Sequence, residues 1–368
     1  MTGSVAVAVA AGILLAAPFL PAAALRVLGG LFLAAPILVL APERRLGVLA
    51  AGLVAAAAAR WLPLRVLRRL TWLLPSLVLL VFLTSGLMYL APGSPFANER
   101  VAAPQVEAAL RAQYGVPTSA VEFFGVYVRR LVLEGSLGPS LKVQGRSVAD
   151  LLGPAIPVSL GLGLLALGLA VGAGLALGVA AALRPRSWLD HLAMGLALLG
   201  ISLPNFVIGA GLMVLFALEL GWLPVAGFGG PRHLVLPALT LAAPYAAYVA
   251  RLARAGMLEV LQQDFVRTAR AKGLSERAVI LDHALRGALL PVVSFLAPAA
   301  AGILTGSFVV ETLFGIPGMG QWFVKGAINR DYSLVLGTAL FYATLVAALN
   351  LGADLLYAWL DPRVRESR

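Results

Sequence analysis

The chain of 368 residues contains no cysteine, which excludes disulfides and thiolate metal sites. Charge is scarce. Asp, Glu, Lys and Arg together make up 12% of the residues, about half the share of an ordinary soluble domain. Histidine is scarcer still, and His191, His233 and His283 stand far apart with no metal-ligand spacing. No nucleophile and base fall in a catalytic arrangement, and no G-x-x-x-x-G-K-[ST] run is present. No metal and no cofactor are expected, and nucleotide hydrolysis, if the protein depends on it, belongs to other subunits. The net charge of +11 is scattered between apolar runs, a pattern that fits membrane topology and anionic lipid and argues against nucleic acid.

Apolar sequence fills the space left by these absences. Hydrophobic residues make up 60% of the chain and the mean hydropathy is +0.92, so most of it is expected to span a bilayer. Core spans are expected at about 71–91, 157–183, 189–217, 235–255, 290–313 and 335–358. Ahead of them, residues 1–61 hold apolar segments at 4–24, 27–41 and 46–59, the last two short for full spans. The first lacks the basic start of a signal peptide and runs into further apolar sequence, so it is read as retained. No methionine lies between Met1 and Met88, and a non-AUG start near Leu62 to Val66 would leave 1–61 untranslated. The expected fold is all-α: a polytopic integral membrane protein with a six-span core and an N-terminal hydrophobic extension of two or three segments.

The charges fall between the spans. Arg60, Arg65, Arg68 and Arg69 precede the first core span, and Arg184 and Arg186 follow the second. The loop 251–286 carries seven basic and four acidic residues, and Arg363, Arg365 and Arg368 close the chain. Six spans that begin inside place all of these in the cytoplasm, as the positive-inside rule requires. Residues 92–153 then form an extracytoplasmic subdomain. Within it Ser119 and Glu122 read as a capping box, Phe124, Val128 and Leu131 share a helical face, and Gly135 is a stop.

The stretch 264–291 departs most from its surroundings. Eight of its 28 side chains are charged. At about 2.5–3.5 kcal/mol per mid-membrane charge, burying it in hydrocarbon would cost on the order of 20 kcal/mol or more. "TARAKG" favours helix and breaks at Gly273, and Ser275 can cap a second helix that rises into the next span. Two short helices joined at a glycine make a projecting hairpin. On its residues alone this is either a solvated loop that sets topology or a docking surface.

Here the sequence becomes recognisable. "RTARAKGLSERAVILDHAL" resembles the cytoplasmic signature loop of binding-protein-dependent ABC importer permeases, with Arg267, Thr268, Ala269, Gly273, Leu274, Ile280 and Leu285 in its places. Arg267 stands where the best-known form has glutamate and Arg286 where it has proline, departures that resemble the peptide-transporting branch. "LRRLTWLLPSLVLLVFLTSGLMYLAPGSPFANER", "GWLP", "GSFVVETLFGIPGMGQWFVKGAINRDYSLV" and "DLLYAWLDPRVR" follow in family order, so the resemblance covers about 62–366. It is nearest to oligopeptide permeases, while dipeptide, nickel and glutathione permeases share most of the motifs.

The resemblance implies a permease core at 62–366 with a cytoplasmic coupling loop at 256–286, in the plasma (inner) membrane of a prokaryote. It implies a second homologous permease subunit in a hetero-dimer, two ATP-binding subunits and an extracytoplasmic solute-binding protein that delivers peptide. Contact with the ATPases is carried over to Arg267, Thr268, Ala269, Arg270, Lys272, Gly273, Leu274 and Arg277. A self-contained secondary transporter is the rival, but it would show inverted repeats with polar midplane residues in both halves, and no such symmetry is legible.

Two further stretches invite function. Glu311, Gly315, Pro317, Gly318 and Gly320 precede a short amphipathic segment, "QWFVKGAIN", and read as a re-entrant or capping element at the outer mouth, or as a simple interfacial loop. In the third core span Ser202, Pro204 and Asn205 can bend the helix and line the path, or bond a neighbouring helix. Glu219, Glu311 and Asp354 fall near span ends, where ion pairing with nearby arginine is the expected explanation.

Overall fold

The computed structural model describes residues 64–96, 104–305 and 307–360. The extension 1–61 and its expected spans lie outside the described residues, as does the side chain of Asp354. The described chain is helical: α1 (Leu64–Leu90), α2 (Pro104–Tyr114), α3 (Ala120–Arg129), α4 (Val148–Leu183), α5 (Trp188–Ser202), α6 (Asn205–Leu212) and α7 (Pro231–Val260). Then come α8 (Asp264–Ala271), α9 (Glu276–Ala278), α10 (Leu285–Ala288), α11 (Leu290–Thr305), α12 (Ser307–Phe314), α13 (Met319–Asn329) and α14 (Tyr332–Leu360). Widened π turns extend α3 over Arg130–Glu134 and α6 over Met213–Glu219, and join α9 to α10 over Val279–Ala284.

Among the described residues, five stretches are long and apolar enough to cross a membrane: Trp72–Leu90, Val148–Leu183, Pro231–Val260, Leu290–Phe314 and Tyr332–Gly352. The expected six-span core is met when α5 and α6 with its π extension count as one span bent by 116°. The bend has a local cause. Proline disfavours the helical conformation in the residue before it, and Leu203 before Pro204 is extended, at φ −90° and ψ 134°. The span expected at 189–217, with Pro204 as a place where the helix can bend, is thus two helices.

The chain divides into two compact units. Among the described residues, one takes in those up to Pro154 and Trp322–Ala347, and the other takes in those of Ala155–Gln321 and 348–360. In the first, α1, α3 and α14 enclose an aromatic core of Phe96, Phe123, Phe124, Tyr127 and Tyr332. The α3 face therefore centres on Phe123, Phe124 and Tyr127, with Val128 and Leu131 at its margin. Ser119 does occupy the extended N-cap position, but its hydroxyl makes no cap hydrogen bond, so the expected capping box does not form. Gly135 ends the helical run in a left-handed conformation, as expected.

The second unit is built on α7. Small residues let its neighbours approach closely, the common device where helices pack without a hydrophobic drive between them. A Cβ on Gly174 of α4 would lie 2.6 Å from Val249 Cβ, and one on Gly200 of α5 3.1 Å from the Ala243 carbonyl oxygen. Towards the C-terminal end of α7, Arg254 forms a two-bond ion pair with Asp190 of α5, with Nε–Oδ1 2.6 Å and Nη2–Oδ2 2.7 Å. A core of Leu162, Ala166, Leu236, Leu241, Ile303 and Phe314 joins α4 and α7 to α11 and α12.

Candidate functional site

The charged block folds as its sequence leads one to expect. α8 and α9 meet at Gly273, whose φ of +80° is the left-handed conformation that side chains disfavour. The Ser275 hydroxyl accepts the Ala278 N–H at 3.3 Å and caps the second helix. The hairpin has a buried root and an exposed tip. Val266 and Ala269 of α8 sink into a cluster with Ala182, Met257, Val260, Val279, Ala284 and Ala288. Its two feet are pinned together, since a Cβ on Gly256 would lie 2.5 Å from the Ala288 carbonyl oxygen.

Of the residues expected to meet an ATPase, Ala269 belongs to that root, while Arg267, Thr268, Arg270, Lys272, Gly273, Leu274 and Arg277 are exposed. Phe265 and Leu274 add apolar surface, at 44% and 41% exposure. Arg270 is turned back on its own hairpin: its Nε and Nη2 donate to Glu276 at 2.7 and 3.2 Å. The pair holds the Glu276 carboxyl below, and the Arg270 guanidinium above, their ordinary values through that hydrogen bonding. Arg270 therefore closes the hairpin, a role its sequence position did not reveal. Arg267 makes a looser contact with Asp264, at 3.5 Å.

The loop after α12 is organised around Glu311, and here the expectation of an arginine partner is corrected. Glu311 is fully buried. Its Oε1 accepts from the Ser159 and Ser307 hydroxyls at 2.7 Å each, and its Oε2 from the Gly320 N–H at 2.7 Å. Ser159 in turn accepts the Met319 N–H at 2.8 Å. The first N–H groups of α13, which have no partner within the helix, are thus satisfied by a carboxylate from α12 and a hydroxyl from α4. Neutral donors and a helix N-terminus replace the expected cation. The glycines follow from this: a Cβ on Gly318 would strike the Glu311 carboxylate, and one on Gly320 would strike Phe308 Cα. Gly315 supplies a left-handed turn, at φ +64°, and Pro317 stands between Ile316 and Gly318 where the chain enters α13.

Ser202 and Pro204 are exposed at the α5–α6 break, and Asn205 is half-buried there. Glu219 is exposed at the far end of the same bent span.

The sequence matches the family of binding-protein-dependent transport system inner membrane components over residues 174–366. It is 45% identical to the oligopeptide transport system permease protein OppB of Haemophilus influenzae over 302 residues, 82% of this chain and 98% of that protein. The protein of the same name from Escherichia coli is 44% identical over 302 residues, with the same coverage of 82% and 98%. The dipeptide transport system permease protein DppB of Bacillus subtilis is 43% identical over 295 residues, 80% of this chain and 96% of that one. The Gly273 hairpin and the buried Glu311 loop both lie inside the matched stretch. This chain belongs to the family of binding-protein-dependent transport system inner membrane components, as a multi-pass, non-catalytic subunit.

Proposed function

We propose that this permease subunit carries peptides across the inner membrane, taking them from an extracytoplasmic binding protein and drawing on ATP hydrolysis in two cytoplasmic subunits. A second, homologous permease subunit completes the path as a hetero-dimer. The observation that carries the coupling reading is the Gly273 hairpin, whose basic tip is exposed while its feet are locked by the Gly256–Ala288 approach. A projection rooted this tightly turns with the helices that bear it and does not fold away when pushed. Rigid-body movement of the ATPases would reach α7 and α11 through it and switch the bundle between inward- and outward-facing states. Arg267, Lys272, Arg277, Phe265 and Leu274 make up the docking surface in this reading. The oligopeptide and dipeptide names of the relatives support peptide as the solute.

The test is uptake by the whole complex in proteoliposomes. A radiolabelled mixture of short peptides from a protease digest should be imported when ATP is present, and should stimulate hydrolysis. Deleting 267–273 should abolish both responses. Import of nickel ion or glutathione in place of the peptides would overturn the solute, and wild-type coupling by the deletion variant would overturn the docking role.

A further inference from the structure

The coupling reading leaves a mechanical gap. The hairpin is rooted on α4, α7 and α10, whereas the break at Leu203–Pro204 lies on α5 and α6. α5 buries Ala193 and Ala197 and meets α7 with Gly200 against Ala243 and Ala247. Such a face is shallow and non-directional. Small apolar residues allow close approach, but the contacts they make are van der Waals contacts without direction. Register comes from directional bonds, and α5 makes these at its first turn.

Asp190 is 4% exposed, and its carboxylate accepts three hydrogen bonds. Its two oxygens take the Arg254 fork at 2.6 and 2.7 Å, and Oδ2 also accepts the Arg186 N–H at 2.9 Å. The Asp190 N–H donates to Ser187 Oγ at 3.3 Å, closing the N-terminal turn of α5. Arg186 takes a left-handed φ of +62° to deliver its N–H, a conformation that a side chain disfavours. The connection between α4 and α5 is thus shaped around this carboxylate. Arg254, for its part, stands one residue from Ala253, whose Cβ a Cβ on Gly178 of α4 would meet at 2.8 Å, and two from Gly256, which pins the hairpin's feet.

We propose that the Asp190–Arg254 pair is the strut that carries the hairpin's movement into α5 and so to the α5–α6 break, making both side chains positioning residues for transport. This rests on the coupling reading above. A bidentate pair resists sliding as well as separation, since either motion breaks a charge-assisted bond. With it in place α5 follows α7 as one body; without it α7 slides along the alanine face and the break stays where it was.

The experiment uses the whole complex in proteoliposomes and measures peptide imported per ATP hydrolysed. Asp190→Asn and Arg254→Met should each lower that ratio by roughly fivefold or more, while peptide-stimulated hydrolysis persists. Arg254→Lys, which keeps the charge but not the fork, should fall between them and the wild type. A purely structural role would lower the amount of assembled complex and leave the ratio of the remainder unchanged, and that result would overturn the proposal. If the single variants do not assemble, the double variant Asp190→Leu with Arg254→Met decides. Replacing both partners with apolar groups preserves packing without the directional bonds. A low ratio in the double variant supports the strut, and a wild-type ratio sinks it. Failure of the coupling reading itself looks different: the variant lacking 267–273 would then import peptide and hydrolyse ATP as the wild type does.

Discussion

Glu276 lies in the hairpin that feeds the Leu290–Phe314 span, and Glu311 lies in the last turn of that span. Glu276 is exposed and bonded to an exposed arginine on the neighbouring helix. Glu311 is buried without a cation and bonded to two serines and a helix N-terminus. The difference reflects what each region can tolerate. Water solvates Glu276 when its partner leaves, so the hairpin surface can exchange one set of charges for another on a docking partner. No water replaces the partners of Glu311, so α4, α12 and the start of α13 are bound together at that point.

The largest test of this contrast removes the buried carboxylate. Glu311→Ala strands two buried hydroxyls and the Gly320 N–H, and should destabilise the protein by about 3 kcal/mol or more. Glu311→Gln keeps the shape, but its NH2 must either face the Gly320 N–H, donor to donor, or displace the hydrogens that the two serine hydroxyls donate, at a cost of about 1–3 kcal/mol. Thermal unfolding of the purified protein in nanodiscs reads both. A change within error for Glu311→Ala would show that the loop is held by something else.

Next in size is Gly318→Ala. Its methyl group would overlap the Glu311 carboxylate, and overpacking of this kind costs about 1–3 kcal/mol. The two changes share one space, so they should not add. In the Glu311→Ala background the added methyl should cost less, since of its close neighbours only the Ser159 Oγ, at 2.6 Å, remains, and a double-mutant cycle should show a coupling of about 1 kcal/mol. Additive effects would mean that Gly318 is needed for its backbone alone.

This contrast was only half visible in the sequence. The hairpin was legible because its signals are local: a dense run of charge, Gly273, and Ser275 three residues before Ala278. The spans were legible from apolar length, and the 116° bend in part, because Pro204 marks a site where a helix can yield. The Glu311 node was not legible, since Ser159 lies 152 residues away and no periodicity links them. The same holds for Asp190 and Arg254, 64 residues apart, which read as two of the many charges near span ends. Even a local pattern failed at Ser119, where the cap position forms and the hydroxyl bond does not. Local chemistry sets turns and ends, but the pairing of distant polar groups follows from helix packing.

A smaller effect is expected on the hairpin side. Gly273→Ala places a methyl group in open space but forces alanine to φ +80°, which costs about 1–2 kcal/mol. The strain is confined to the turn, so global unfolding should move less than hydrogen exchange at the Glu276–Ala278 amides. Unchanged exchange there would show that the turn can flatten without cost.

The smallest effect belongs to Glu276 itself. Arg270 holds its carboxyl below the ordinary glutamate value of about 4.3, so the folded hairpin favours the ionised form more than the unfolded chain does. The contribution is complete above that ordinary value and is lost as pH falls through the lowered one. It should therefore be constant across neutral pH and disappear only in acid. High salt should weaken it at any pH, because both side chains are exposed. Glu276→Gln should accordingly leave the unfolding temperature unchanged and speed exchange at the hairpin tip, with the difference from wild type closing in acid. A difference that persists in acid would mean that Glu276 holds the hairpin by shape and not by charge, and the contrast with Glu311 would then lose its electrostatic basis.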